Sequence, residues 1–460
     1  MITSRTAITV VSVAVLVAGC GSNPTPAADP VTLPPSTTAT TSAERGWIDG
    51  EPDWVAVAAA GAGADGTKMY AGAAPGTEAG AAADVAVIPG DGPVPVELQP
   101  AGQAGLRAGS VDDNADFAAF LAYLARIKDL GISTRHFDPT GRVVVTVTGT
   151  TGLPVAGAQV SVTSAGNEIA ELRTTADGTA RFLPALYDAG QVTEFTFTTG
   201  DVSANAAPGS AVALQSDAAG GRSGPVALDV LFLLDATGSM GDEIDRLKAT
   251  IDTVAAQVDA LESQPDVRLA MTLYRDEGDT FVTSNFDFTG DISAFRAALS
   301  DVVADGGGDY PEALEDGLAS ALSTPAWRDP ASTVQLVFLV GDAPPHVDRQ
   351  VPVEYPAAII DAVARGIKVF PIASSESDDQ AEAVFRQIAA ATGARFVFLS
   401  YGALGAATGS ATDIDSTDYE ELPLDALVVR LIAEELAALS GTEAEVPPVT
   451  VPPVTNPQGQ

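Results

Sequence analysis

Val226-Ala227-Leu228-Asp229-Val230-Leu231-Phe232-Leu233-Leu234-Asp235-Ala236-Thr237-Gly238-Ser239 is the stretch that decides the fold. Val226 to Leu234 is an apolar run, as expected of a strand buried on both faces of a parallel sheet. It ends in a carboxylate followed by two hydroxyls at two-residue spacing. Next, Ile244, Leu247, Ile251, Val254, Val258 and Leu261 mark a long helix that Pro265 closes. Strands are expected near 267–274, 281–288, 334–341, 367–373 and 395–400. Helices are expected near 291–303, 311–322, 354–365, 378–392 and 424–439. Apart from the two strands with no helix between them, this is the order of a doubly wound, Rossmann-like α/β fold.

Upstream of this 226–440 domain the period changes. Over 141–216, Val143-Val144-Val145-Thr146-Val147 and Ala158-Gln159-Val160-Ser161-Val162 are β-rich, and Ala176-Asp177-Gly178 is a turn. Phe195, Phe197, Val212 and Leu214 continue the alternation, which predicts a small β-sandwich. Its segment Gly152 to Phe182 resembles the immunoglobulin-like regulatory modules of surface proteins, which implies spacing or support. Before it, residues 46–140 are Gly/Ala/Pro-rich up to an amphipathic helix. Phe117, Phe120, Leu121, Leu124 and Ile127 carry that helix, Asp112 or Asp113 caps it, and Gly131 ends it. Pieces such as Trp54–Val57 and Val85–Ile88 read either as linker or as strands completing a neighbouring sheet. The 441–460 tail is Pro-rich and reads as disordered.

The formal net charge of −38 over 460 residues argues against nucleic acid and anionic membrane surfaces as partners, since both need a lysine and arginine surplus. Most of the acid reads as solvating charge. Residues 1–19 have a positive Arg5 and an apolar stretch, Ala7 to Ala18, too short to span a bilayer, which is the pattern of a secretory signal. The stretch ends in Val17-Ala18-Gly19-Cys20, similar to the lipobox of bacterial lipoproteins. Cys20 is the single cysteine of the chain, so a disulfide framework does not explain it. Cys20 is therefore expected to be lipidated, anchoring the protein to the outer face of the cell membrane. Residues 20–45, rich in Pro and Thr, then form an extended tether.

In open α/β sheets, ligands bind beyond the carboxyl ends of the strands. Asp235, Thr237 and Ser239 lie at such an end and offer hard oxygen ligands suited to Mg²⁺ or Mn²⁺, with Ca²⁺ as an alternative. Asp342 ends a second strand, and Gly306-Gly307-Gly308-Asp309-Tyr310-Pro311-Glu312 forms a third loop. Together these residues resemble the von Willebrand factor A domain and its metal-ion-dependent adhesion site, with Thr237 in place of a serine. The resemblance covers roughly 226 to 440. Many members have a threonine ligand in the third loop, where this chain has Gly308 and Asp309. The loop is instead similar to that of integrin β-subunit and hemicentin-like A domains. That similarity implies Glu312 as a direct ligand, the Asp309–Glu312 loop and Asp342 completing the first site, and a second ion at Asp276 with Asp309, while Asp242 and Glu243 match acids that flank the first site. In this family the open coordination position typically takes a carboxylate from a partner protein. An added Glu312 lowers the residual charge on the ion and weakens that pull.

Three other functions compete. A metal-activated hydrolase would need His346 as base, and the only other histidine is His136. Such a histidine more often braces a loop, and no nucleophile with an orienting base is apparent, so the chain is read as a non-enzyme. A chelatase or chaperone-like subunit would need a cytoplasmic ATPase, which the export signal opposes. A structural module whose ion only holds loops together remains the serious rival to metal-dependent adhesion to an unidentified protein.

Overall fold

The computed structural model describes residues 106–221, 226–261, 263–374, 377–400, 419–442 and 444. The expected signal sequence at 1–19, Cys20, the expected tether at 20–45, residues 46–105 and most of the C-terminal tail lie outside the described residues.

The chain begins with β1 (Arg107–Val111) and α1 (Phe117–Asp129). Seven short strands follow: β2 (Val143–Thr148), β3 (Gln159–Ser164), β4 (Asn167–Arg173), β5 (Thr179–Phe182), β6 (Phe195–Thr199), β7 (Val202–Ala206) and β8 (Ala211–Gln215). They form two sheets, β5-β2-β8 and β4-β3-β6-β7. Val143, Val145, Val147, Val160, Val162, Phe195 and Phe197 point between them and are fully buried, as strict alternation requires.

The α/β domain then supplies β9 (Ala227–Asp235), α2 (Gly241–Asp259), β10 (Asp266–Tyr274), β11 (Thr283–Thr289), α3 (Ile292–Ser300) and α4 (Leu314–Ser323). Next come β12 (Thr333–Gly341), α5 (Tyr355–Arg365), β13 (Lys368–Ala373), α6 (Asp379–Thr392), β14 (Phe396–Ser400), β15 (Leu422–Pro423) and α7 (Leu424–Ser440). Its eight-stranded sheet has the order β11-β10-β9-β12-β13-β14-β1-β15. β9 runs parallel to both β10 and β12. Its Val230, Phe232 and Leu234 pack with Ile244, Leu247, Phe295 and Leu431 from α2, α3 and α7. Leu231 and Leu233 face the opposite layer, with Leu318, Ile359 and Phe385 from α4, α5 and α6. Helices on both faces explain why β9 reads as apolar rather than alternating. Asp229, which interrupts that run, is fully buried and held by Arg268 and Arg328 at 2.7 and 2.8 Å.

The sheet reaches back past the sandwich. β1 pairs antiparallel with β14 and β15, and Phe120 and Ile127 of α1 pack on Ala383 and Ala390 of α6. The sandwich is thus carried between two parts of one α/β domain. The expected cap of α1 is corrected here. Asp116 caps it, accepting from the Ala119 amide at 3.0 Å, whereas Asp112 closes a turn on the Asn114 amide at 2.9 Å. Asp113 is buried in a bidentate pair with Arg386, at 2.6 and 3.0 Å, because a buried carboxylate needs a fixed countercharge more than a helix needs a second cap. α4 also begins at Leu314 rather than near 311, because the preceding residues form a loop at the site.

Candidate metal centre

β9 is where the sheet changes direction: the chain leaves it for β10 on one side and reaches β12 on the other. The carboxyl ends of β9 and β12 therefore open a crevice of the kind that binds ligands in open α/β sheets. Asp235 closes β9 opposite Tyr274, and Asp342 follows β12. Gly341 makes the close approach possible, since a Cβ there would lie 2.5 Å from the Tyr274 hydroxyl and 3.3 Å from Asp235 Cβ.

Asp235 Oδ1 accepts from the Thr237 amide at 2.9 Å and from the Thr237 hydroxyl at 2.7 Å. Thr237 Oγ1 lies 3.1 Å from Ser239 Oγ. This turn leads through a 3₁₀ segment, Gly238–Met240, into α2, so the two hydroxyls are placed by backbone rather than by chance. The glycine loop closes over them, with the Gly238 amide donating to Gly306 O at 3.1 Å. Gly307, at φ +71°, leaves room for Glu312: a Cβ there would meet Glu312 Oε1 at 2.9 Å and Thr237 Cβ at 3.2 Å. Glu312 is itself tied to the third wall, its amide donating to Pro344 O at 3.0 Å. Tyr310 spans the rim, with its hydroxyl donating to Asp342 O at 3.2 Å and accepting from the Asp378 amide at 3.1 Å.

Asp235, Thr237, Ser239, Glu312 and Asp342 thus lie around one strand-end crevice, although among the described residues only Asp276, Asp309 and His346 bring their ligand atoms within 4.8 Å of one another. The electrostatics of that crevice are unfavourable without a cation. Burial, and then the nearby Asp342 charge, push the Asp235 carboxyl up to about 7, against the hydrogen bonds from Thr237. Burial, and then the charges of Asp235 and Asp276, push Glu312 up to about 8. Among the described residues, Glu312 Oε2 is buried with no hydrogen-bond partner. Asp235 Oδ2 and the Tyr274 hydroxyl influence each other without the geometry of a hydrogen bond. Buried carboxylates beside two neighbouring hydroxyls fit a hard divalent ion. When bound, such an ion would supply a positive centre able to take an oxygen ligand from outside.

The sign of the resulting pH dependence follows directly. Unfolded carboxylates titrate near about 4, below the folded values of about 7 and about 8. Between these limits the folded chain holds protons that the unfolded chain has released, so stability falls as pH rises. In EDTA, denaturant melts at pH 5, 6.5 and 8 are expected to lose about 2–4 kcal/mol over that span. Saturating Mg²⁺ should flatten the decline. Stability in EDTA that instead climbs towards pH 8 would show these acids ionise without penalty.

The other expected ligands are placed differently. Asp309 is exposed and lies 3.3 Å from Arg349. Its ligand atom groups with those of Asp276 and His346, all within 4.8 Å of one another. Glu243 is buried in the first turn of α2 and is outside that group; the side chain of Asp242 lies outside the described residues. Several residues with roles here gave no signal in sequence. Asp279 accepts from the Gly307 amide at 2.8 Å and the Asp276 amide at 3.1 Å, shaping the glycine loop. Arg275 donates to Ala236 O at 3.1 Å behind the first turn. Arg135, from the segment after α1, is clamped to Glu315 at 2.7 Å and donates to the carbonyls of His346, Val347 and Arg349 at 3.0, 3.2 and 2.8 Å. It fixes the chain beyond Asp342 from 211 to 214 residues away in sequence, a distance at which no local pattern gives warning.

Residues 229–402 match the sequence model of the von Willebrand factor type A domain. Among curated proteins, the chain is 28% identical over 119 residues to a putative ariadne-like RING finger protein of Acanthamoeba polyphaga mimivirus, covering 26% of this chain and 11% of that one. It is 31% identical over 120 residues to the alpha-protein kinase vwkA of Dictyostelium discoideum, covering 26% and 19%. Each similarity thus concerns one segment, a small part of the relative's length. Among solved structures, the pilus adhesin SpaC of Lactobacillus rhamnosus GG aligns at 12% identity over 44% of this chain and 30% of that one, with a TM-score of 0.29. A proximal thread matrix protein of the mussel byssus aligns at 14% identity over 36% and 40%, also with a TM-score of 0.29. Such scores carry no argument about fold or function. The family match and the eight-stranded sheet with helices on both faces agree, and the chain contains a von Willebrand factor type A domain.

Proposed function

We propose that this domain holds Mg²⁺ or Mn²⁺, with Ca²⁺ as the alternative, among Asp235, Thr237, Ser239, Glu312 and Asp342, and uses it in metal-dependent binding or adhesion to another protein. The observation that carries this is the pocket itself: two adjacent hydroxyls on a fully buried Asp235, facing a buried Glu312 whose second oxygen has no hydrogen-bond partner among the described residues. The residue pattern at 17–20 supports lipidation at Cys20 and display on the outer face of the cell membrane. Cys20→Ser should then move the protein from the membrane to the soluble fraction, and unchanged membrane retention would count against the anchor.

Glu312 decides how strongly the ion pulls on a partner. As a direct ligand it neutralises charge that would otherwise attract an outside carboxylate. Calorimetric titration of Mg²⁺ into Glu312→Ala is expected to show affinity weaker by about tenfold or more, about 1.4 kcal/mol. Unchanged affinity removes Glu312 from the shell. The carboxylate-rich donor set favours a second reading, in which the ion only organises loops. Pull-down from cell-surface extracts with Mg²⁺ and then EDTA, using wild type and Asp235→Ala, separates the two. A partner retained only by wild type in Mg²⁺ supports adhesion; capture indifferent to both changes contradicts it.

A further inference from the structure

Arg135 lies outside the segment that matches the family model, on the stretch between α1 and the sandwich. Its side chain is buried, and all three guanidinium nitrogens donate. Nε and Nη2 form a fork on the two oxygens of Glu315, at 3.0 and 2.7 Å. The Glu315 side chain is only 2% exposed. Nη1 and Nη2 also reach the carbonyls of Val347, His346 and Arg349.

These partners belong to two different walls of the metal crevice. Glu315 follows Glu312 on the same loop and stands in the first turn of α4. The three carbonyls belong to the chain just after Asp342. One planar group thus joins the loop that carries Glu312 to the loop that carries Asp342. The loops also meet through the Glu312 amide on Pro344 O at 3.0 Å and the Tyr310 hydroxyl on Asp342 O at 3.2 Å. Neither of those bonds is charge-assisted, whereas the fork on Glu315 is, and such bonds are about twice as strong. The clamp is seated on rigid elements. Glu315 Oε1 accepts from the Tyr355 amide at 2.8 Å at the start of α5, and the Tyr355 hydroxyl donates to Gln387 of α6 at 2.6 Å. Withdrawing Arg135 strands a buried carboxylate, which is costly, so the clamp is either made or broken.

We propose that Arg135 is a positioning residue for the Asp235 crevice, coupling the docking of the segment after α1 to metal binding. The inference rests on the reading of that crevice as a metal site. The ion binds tightly only while Arg135 holds the Glu312 and Asp342 loops in register. Coupling of this kind is reciprocal. If release of Arg135 weakens the ion by some factor, the bound ion suppresses release of Arg135 by the same factor. The segment runs on into β2 of the sandwich at Val143, so displacing this stem loosens the ion.

The test uses the whole protein. Calorimetric titration of Mg²⁺ into Arg135→Met is expected to show affinity about tenfold weaker than in wild type, within the usual range of coupling between sites. The double variant Arg135→Met/Glu315→Gln should show the same loss. It removes both buried charges together, so it keeps the fold where the single variant fails, and glutamine retains an acceptor for the Tyr355 amide. Wild type supplies the reciprocal readout. Trypsin cannot cut after Arg135 while that side chain is clamped, so cleavage there tracks the released population. Saturating Mg²⁺ should slow this cleavage about tenfold relative to cleavage after Arg173 in β4, which corrects for global stability. Asp235→Ala should show no such protection. A purely structural role would lower the melting temperature of both variants in EDTA and leave Mg²⁺ affinity unchanged, which overturns the coupling. Protection at Arg135 no greater than at Arg173, or kept in Asp235→Ala, overturns it too. Wild type that binds no Mg²⁺ removes the metal reading and the coupling together, whereas equal affinity in wild type and Arg135→Met removes the coupling alone.

Discussion

Residues 226–442 expressed alone are expected not to fold cooperatively, although they include the whole segment matched to the von Willebrand factor type A domain. The missing pieces are β1 and α1. β1 pairs with β14 from Arg107↔Ser400 to Val111↔Phe396, so its loss bares one edge of the sheet beside Phe396 and Phe398. Losing α1 removes Phe120, Tyr123 and Ile127, all buried against the domain. At about 1.5–3 kcal/mol each, these side chains contribute about 5–9 kcal/mol. That is comparable with a whole domain's stability of about 5–15 kcal/mol. Arg386 also loses its bidentate partner Asp113. Circular dichroism melts of 226–442 and 106–442 provide the check. Matching cooperative transitions in the two would contradict this expectation.

β1 was not legible in the sequence, for a physical reason. Arg107-Ala108-Gly109-Ser110-Val111 has neither β-branched alternation nor length. Its residues are small because the neighbours are large: a Cβ on Gly109 would lie 2.4 Å from the Phe398 ring and 2.6 Å from that of Tyr419. Small residues chosen for a close approach look like linker. β9 and β12, by contrast, declare themselves because burial on both faces leaves few polar positions. Asp113 was misread as a cap because its partner Arg386 lies 273 residues away.

The second large effect concerns metal. In wild type, Mg²⁺ at 100 times its dissociation constant should stabilise by about 2.7 kcal/mol. For a domain of this size that is roughly 5–10 °C in the melting temperature. Asp235→Ala should show no metal-dependent shift. The companion Asp235→Asn separates metal loss from structural damage, because it keeps an acceptor for the Thr237 amide and hydroxyl. In EDTA at pH 8 it is expected to melt no lower than wild type, since it removes a fully buried carboxylate already pressed by Asp342. Equal Mg²⁺ shifts in wild type and Asp235→Ala would place the ion elsewhere.

Much of this pocket could be read from spacing. Asp235, Thr237 and Ser239 are local, and one turn sets all three. Glu312 and Asp342 depended on resemblance, because their loops meet only through contacts distant in sequence, such as the pairing of Glu312 with Pro345 and the Tyr310 hydroxyl on Asp342 O. The neighbouring group was half legible: Asp276 and Asp309 were expected together, but His346 stood apart as a loop brace and Arg349 was unremarked. Their meeting is a product of the fold, with His346 lying 70 residues from Asp276.

Anomalous scattering from crystals grown in Mn²⁺ tests the central claim most directly. A manganese peak bounded by Asp235, Thr237, Ser239, Glu312 and Asp342, absent from Asp235→Ala crystals, is the predicted result. No peak in that pocket, or manganese found only at the Asp276 group, would contradict it.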